Sequence, residues 1–160
     1  MEESQAISLD NTYMVDGSWI SIAHFSGRGW VWMDSLGKIQ LIGMQNLRRR
    51  ETALHSEVEA LRWAIESMLQ HSSCQNFGTD CNDLITMIKE SHARPSFATE
   101  LETTKTLKIY FPDFKISHIP RVHNEISDFL AKSGRSFHKE LCYISCYISC
   151  SIPVLLPRPP

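Results

Sequence analysis

The sequence predicts a mixed α/β fold, in which a five-stranded sheet of three antiparallel strands followed by two parallel strands is flanked by helices. Three runs rich in β-branched and aromatic residues come first, at 13–20, 27–33 and 38–44. After them, segments with a helical spacing of apolar residues alternate with two more short strand-like runs. An order of three strands, helix, strand, two helices, strand and helix is typical of a sheet covered by helices.

Local signals in the first half support each element. Residues 34–37 form a predicted hairpin turn in which Gly37 supplies a positive φ angle. A helix is predicted over residues 52–71, with Thr52 as its N-cap. A strand over 74–79 and a helix over 82–89 follow, and this strand–helix–strand order predicts a parallel crossover.

In the second half, proline residues set the boundaries. Pro95 precedes a predicted helix over 98–110, and Pro112 ends it. Residues 114–119 alternate apolar and polar side chains, as a half-buried strand does. A last helix is predicted over 125–132, with Asn124 as its N-cap. Its inward-facing residues are predicted to be Ile126, Phe129 and Leu130.

Composition indicates one globular domain. The chain has 160 residues, 42% of them apolar and 21% charged, which is close to the average for soluble domains. We expect a leader at 1–11, the domain at 12–134, and a low-order tail at 135–160 that carries a Tyr-Ile-Ser-Cys repeat and a proline-rich end. No apolar run reaches the ~18 to 20 residues that span a bilayer, and the acidic start is unlike a secretory signal.

These features predict a monomer that does not bind membranes and that lies in the cytoplasm or nucleus, with its five cysteines reduced. The net charge of −2 argues against a protein that holds nucleic acid by charge alone. Any role with nucleic acid would therefore be local or assisted by a metal ion.

Four acidic residues lie at the end of an apolar run or near an end of a predicted strand or helix: Asp16, Glu57, Asp80 and Asp128. If the first and fourth strands are parallel neighbours, Asp16 and Asp80 lie side by side at one end of the sheet. Carboxylates gathered in this way repel one another, and a pair of divalent cations bound by oxygen, Mg²⁺ or Mn²⁺, relieves the repulsion. Each acid alone is as readily a turn residue or a solvated helix charge, so the prediction depends on the set.

The sequence around these acids resembles ribonuclease H of type 1, and more closely the plant ribonuclease H-like domains related to the reverse transcriptases of non-LTR retrotransposons. The resemblance covers residues 13–134. It depends on four motifs in order: Asp16-Gly17-Ser18, Ser56-Glu57 with Ala60-Leu61, Thr79-Asp80-Cys81, and His118-Ile119-Pro120-Arg121 followed by Asn124 and Asp128-Phe129-Leu130-Ala131.

The resemblance implies a ribonuclease H-like fold and an endonuclease that cuts the RNA strand of an RNA–DNA hybrid by a two-metal mechanism. The implied ligands of two Mg²⁺ or Mn²⁺ ions are Asp16, Glu57, Asp80 and Asp128. The implied contacts to an RNA–DNA hybrid or another nucleic acid are Gly17, Ser18, Asn82, Arg121 and Asn124.

His118 is implied as a catalytic residue, because bacterial relatives carry a mobile histidine at this spacing before the last acid. The other interpretation of His118 is a strand-end histidine fixed by packing. Arg121 either holds a phosphate or pairs with Glu125.

A second hypothesis follows from residues 19–26, which depart from the glycine- and asparagine-rich turn of bacterial members of the family. In this second hypothesis, the chain is a domesticated, catalytically weak or inactive module of retrotransposon origin that binds nucleic acid or protein.

Overall fold

The protein is described by a computed structural model for residues 12–71, 75–90, 92, 94–146 and 154–156. Its strands, in chain order, are β1 Thr12–Ser18, β2 Phe25–Met33, β3 Ile39–Arg48, β4 Asn76–Thr79, β5 Lys115–His118, β6 Cys142–Cys146 and β7 Val154–Leu156. They form one seven-stranded sheet in the order β5-β4-β1-β2-β3-β6-β7.

Four α-helices flank the sheet: α1 Ala53–His71, α2 Asn82–Lys89, α3 Ala98–Lys108 and α4 Glu125–Ser136. Among the described residues, no helix combines the length and apolar character needed to cross a membrane.

The predicted strand pairing is confirmed. β2 pairs antiparallel with both β1 and β3, whereas β4 pairs in parallel with β1 and β5. β1 is therefore a central strand with β4 as its parallel neighbour, which is the arrangement that places Asp16 near Asp80.

The prediction of five strands was wrong, because two segments of the predicted tail at 135–160 form strands. α4 extends to Ser136, and the following residues add β6 and β7 beyond β3. The buried Asn46 side chain fixes this addition, because its Oδ1 accepts the backbone N–H of Leu141 at 2.9 Å and its Nδ2 donates to the Gly134 and Lys139 carbonyls. Residues 1–11, 147–153 and 157–160 lie outside the described residues.

The larger core lies between the sheet and helices α1 to α3. Tyr13, Trp30 and Phe77 are each at most 1% exposed, and the rings of Tyr13 and Trp30 stack at 5.2 Å. A Cβ atom on Gly17 would lie 2.7 Å from the Ser56 carbonyl oxygen. The glycine is therefore needed where β1 approaches α1, which carries Glu57.

The other face of the sheet is covered by α4. A Cβ on Gly27 would lie 1.8 Å from the Ala131 carbonyl oxygen, and one on Gly29 would lie 2.7 Å from Cβ of Leu130. Because these two positions of β2 have no side chains, the helix backbone rests almost on the strand. This close approach sets the position of Asp128.

The predicted inward face of α4 was wrong for two of its three residues. Phe129 is 68% exposed and Ile126 is 37% exposed, whereas Leu130 is buried as predicted. The buried face consists of Ser127, Leu130, Ala131 and Gly134. The two glycines of β2 allow close approach of the α4 face that carries small residues. The larger side chains of Ile126 and Phe129 therefore face away from the sheet.

Several local predictions are confirmed. Thr52 Oγ1 accepts the His55 N–H at 3.3 Å, as expected for the cap of α1. Gly37 has a φ of 78° in the β2–β3 turn. Helix α3 ends at Lys108, two residues earlier than predicted. Among the described cysteines, Cys81 and Cys142 are free thiols.

Candidate active site

The four predicted acids come from four different elements. Asp16 is in β1, Glu57 lies about one turn into α1, Asp80 directly follows β4, and Asp128 is in the first turn of α4. Met14 pairs with Gly78 in the parallel ladder, so Asp16 and Asp80 each follow two residues later on adjacent strands.

The pKa of Asp16 depends on all three of the other acids. Burial, the charges of Glu57 and Asp80, and the carboxyl group of Asp128 together raise the pKa of Asp16 to about 9. Burial also raises the pKa of Glu57 to about 8, although a hydrogen bond from the Gly17 N–H, 3.1 Å long, opposes the rise. We call Asp16, Glu57, Asp80 and Asp128 the carboxylate cluster.

The buried side chain of Asn124 links β1 to Asp80, one member of the carboxylate cluster. It is 1% exposed, and its Nδ2 donates to the Val15 carbonyl at 3.1 Å and to Asp80 Oδ2 at 3.3 Å. Its Oδ1 accepts the Ser127 hydroxyl. Asn124 was predicted to contact nucleic acid, and in the folded protein its side chain bonds to β1, Asp80 and α4.

Two cationic side chains lie against the acids. Lys132 Nζ is 3.1 Å from Asp128 Oδ2, one helical turn away. Arg121 Nε is 4.0 Å from Asp80 Oδ2, so the carboxylate beside Arg121 is Asp80 and not the predicted Glu125. Lys132 was missed by the sequence analysis, although its spacing of four residues from Asp128 was a usable signal.

The cluster fits divalent ions by the chemistry of its donors. It offers only carboxylate oxygens, the ligands that Mg²⁺ and Mn²⁺ prefer, and the raised pKa values of Asp16 and Glu57 show negative charge that lacks compensation. No three acid, histidine or cysteine side chains of the described residues already surround one point as ligands. Without bound cations the four carboxylates repel one another. Two of them lie beside protein cations, Asp80 beside Arg121 and Asp128 beside Lys132.

The predicted substrate contacts differ in how available they are. Asn82, the first residue of α2, and Arg121 are exposed. The Gly17 N–H is donated to Glu57. Ser18 is 7% exposed, and its hydroxyl accepts a hydrogen bond from Arg135 Nη1 at 2.7 Å. Its side chain is therefore committed within the protein.

His118 lies at the carboxyl end of β5, paired with Thr79, the residue before Asp80. It is exposed. Its catalytic role stays a prediction.

The loop of residues 19–24, which follows β1, is fastened to the end of β3. The Trp19 indole N–H donates to the Arg50 carbonyl at 2.8 Å, and the Arg49 guanidinium lies 5.6 Å from the Trp19 ring centre. Arg49 Nε also donates to the Ala23 carbonyl at 3.1 Å. The sequence analysis did not find this clamp, because no pattern links residue 19 to residues 49 and 50.

Arg50 connects the same region to two helices. Its guanidinium lies 2.8 Å from Glu59 Oε2 on α1 and 2.8 Å from Glu100 Oε2 on α3. These carboxylates hold the pKa of Arg50 above its usual value, and Arg50 lowers the pKa of Glu100.

Comparisons with known structures agree with the geometry. Ribonuclease H1 from the halophilic archaeon Halobacterium salinarum aligns with a TM-score of 0.69 and 22% identity, over 78% of this chain and 96% of that one. The LC11 ribonuclease H1, isolated from compost, was solved with an RNA/DNA hybrid and aligns with a TM-score of 0.68 and 18% identity, over 78% and 95% of the two chains.

A foamy viral protease-reverse transcriptase, solved with double-stranded DNA, aligns with a TM-score of 0.69 and 20% identity, over 82% of this chain and 99% of that one. These likenesses establish a ribonuclease H-like fold. No curated protein sequence gives a significant match.

The family model described as reverse transcriptase-like matches residues 14–134, a span that begins in β1 and ends in α4 and includes the whole carboxylate cluster. The chain therefore belongs to the reverse transcriptase-like family.

Proposed function

We propose that this protein is a metal-dependent endonuclease that hydrolyses the RNA strand of RNA–DNA hybrids. The observation that carries the proposal is the carboxylate cluster, in which the pKa of Asp16 is raised by its burial and by three neighbouring acids from α1, β4 and α4. A fold without a use for this cluster would gain stability by replacing a buried, repelling charge.

Asp16, Glu57, Asp80 and Asp128 would hold two Mg²⁺ or Mn²⁺ ions. When bound, the ions would clamp the scissile phosphate, activate the attacking water and stabilise the leaving 3′ oxygen, giving a 5′-phosphate product. Asp16 would be the central ligand of the set, because it lies in the central strand β1 and its pKa is raised by the other three acids.

The chain's own residues would bind and orient the substrate. Asn82 is exposed two residues after Asp80 and is suited to a 2′-hydroxyl. Arg121 is exposed with its Nε 4.0 Å from Asp80 Oδ2 and is suited to a phosphate. His118 is exposed one strand away from Asp80 and is suited to carry a proton or assist product release. The buried Asn124 would position Asp80 through its hydrogen bond to Oδ2.

The decisive experiment compares wild-type protein with Asp16→Asn on a hybrid whose RNA strand is end-labelled, in Mg²⁺ and separately in Mn²⁺. We expect endonucleolytic products with 5′-phosphate ends from the wild type and a loss of at least ~10²-fold in rate for the variant. Asp113→Asn, which neutralises an exposed acid before β5, is the matched control and should keep wild-type activity. Wild-type cleavage no faster than that of Asp16→Asn would refute the proposal.

The alternative is a catalytically idle module that binds nucleic acid, and the clamped loop favours it. Trp19 and Arg49 close residues 19–24 against β3, where bacterial members have a glycine- and asparagine-rich turn. Binding of a hybrid with a Kd that is unchanged by Asp16→Asn, together with an absence of products, would support this alternative.

A further inference from the structure

Lys132 binds an oxygen of Asp128 that a divalent ion would also need as a ligand. Its Nζ lies 3.1 Å from Asp128 Oδ2, and the two side chains are 59% and 34% exposed. The lysine reaches the acid from one turn further along α4, so the pair forms within one rigid helix. Asp128 is also one of the acids that raise the pKa of Asp16, so this ion pair involves a member of the carboxylate cluster.

An ammonium group and a divalent ion compete for the same carboxylate in two ways. Each needs the lone pairs of an oxygen on Asp128 as its ligand or hydrogen-bond acceptor. Each positive charge also repels the other at short range, and this repulsion is screened little within ~10 Å at ~0.1 M salt. Because the lysine side chain is long, flexible and more than half exposed, it can move into solvent when an ion binds.

The geometry points to Lys132 as a built-in competitor of the metal ion, which weakens the affinity of the free protein for Mg²⁺ or Mn²⁺ by holding Asp128. The inference depends on the proposed function only in taking Asp128 as a metal ligand. In this inference Lys132 acts on the metal site through Asp128.

The test is a calorimetric titration of Mn²⁺ into ion-free wild type, Lys132→Met, Lys132→Arg and Lys105→Met. Lys105→Met is the matched control, because Lys105 is exposed on α3 and its replacement changes the net charge equally. We expect Lys132→Met to bind Mn²⁺ about twofold to fivefold more tightly than wild type, the range set by an exposed ion pair. Lys132→Arg keeps the charge and should bind like wild type, as should Lys105→Met.

A Kd for Lys132→Met that equals or exceeds the wild-type value overturns the inference, since an increase would mean that Lys132 orients Asp128 for the ion. This result would leave the proposed function intact, because wild type would still bind Mn²⁺. Absence of Mn²⁺ binding by all four proteins would overturn both the inference and the metal dependence of the proposed function. Circular dichroism of each ion-free protein checks folding, and Lys132→Gln replaces Lys132→Met if that variant is unfolded.

Discussion

The carboxylate cluster and the loop of residues 19–24 both lie at the carboxyl end of β1, yet they are built differently. The acids come from four elements, and close backbone packing at Gly17, Gly27 and Gly29 sets their positions. The loop depends on side-chain contacts of Trp19 and Arg49. The chemistry of the site is therefore tied to the stability of the whole domain, whereas the loop can change with little effect on the fold.

The largest expected effect is on the packing beneath the carboxylate cluster. Gly27→Ala places a Cβ 1.8 Å from the Ala131 carbonyl oxygen, so α4 must move and carry Asp128 with it. We expect a loss of ~3 kcal/mol or more in the free energy of unfolding, measured by urea denaturation.

Gly37→Ala is the control for Gly27→Ala. Gly37 has a φ of 78° but no neighbouring atom within 4 Å of an added Cβ, so only backbone strain of ~1 kcal/mol is expected. Equal losses in the free energy of unfolding for Gly27→Ala and Gly37→Ala would show that the packing of α4 does not require the absence of a side chain at residue 27.

The next effect concerns the support of the cluster by Asn124. Asn124→Ala removes the amide that donates to the Val15 carbonyl and to Asp80 Oδ2, which leaves buried acceptors without a partner. We expect ~2 kcal/mol of destabilisation and a slower cleavage rate. Asn82→Ala removes the same chemical group from an exposed position and should change stability by less than ~0.5 kcal/mol.

The pH dependence of stability should arise from the carboxylate cluster and not from the loop of residues 19–24. The folded protein keeps protons on Asp16 and Glu57 to a higher pH than the unfolded chain does, since their pKa values rise from 3.8 to about 9 and from 4.5 to about 8. The folded state therefore binds more protons, and the stability of the ion-free protein falls as pH rises across this window.

The expected slope, measured by thermal unfolding between pH 6 and pH 8, is roughly 2 to 3 kcal/mol per pH unit near neutral pH, because each of the two extra protons contributes ~1.4 kcal/mol per unit. Asp16→Asn should flatten this slope, and Mn²⁺ should raise the melting temperature more at pH 8 than at pH 6. A slope that is the same in wild type and Asp16→Asn would contradict the electrostatic strain assigned to the cluster.

The smallest effect is expected in the loop. Trp19→Phe removes the indole N–H that donates to the Arg50 carbonyl and should cost about 0.5–1.5 kcal/mol, with no change in Mn²⁺ affinity. Ile22→Ala, at a side chain that is 91% exposed, should leave both quantities unchanged. A change of Mn²⁺ affinity in Trp19→Phe would show that the loop and the cluster are coupled.

Much of the fold followed from local patterns. The helical period over 52–71 and the turn at Gly37 were predicted correctly, and so was the parallel pairing of the fourth and fifth strands. These features depend on residues near one another in the chain or on a general rule of crossover connection. The strand number was not predictable in the same way, because β6 depends on pairing with β3 and on the distant side chain of Asn46.

The sequence by itself determined the order of the elements and the four acids with their neighbouring motifs. Only the tertiary structure decided which polar residues face the site. It placed Asn124 inside the protein and committed the Ser18 hydroxyl to Arg135. The physical reason is that a side chain's partner depends on the angle and distance at which two elements pack, and glycines far apart in the sequence set those angles for α1 and α4.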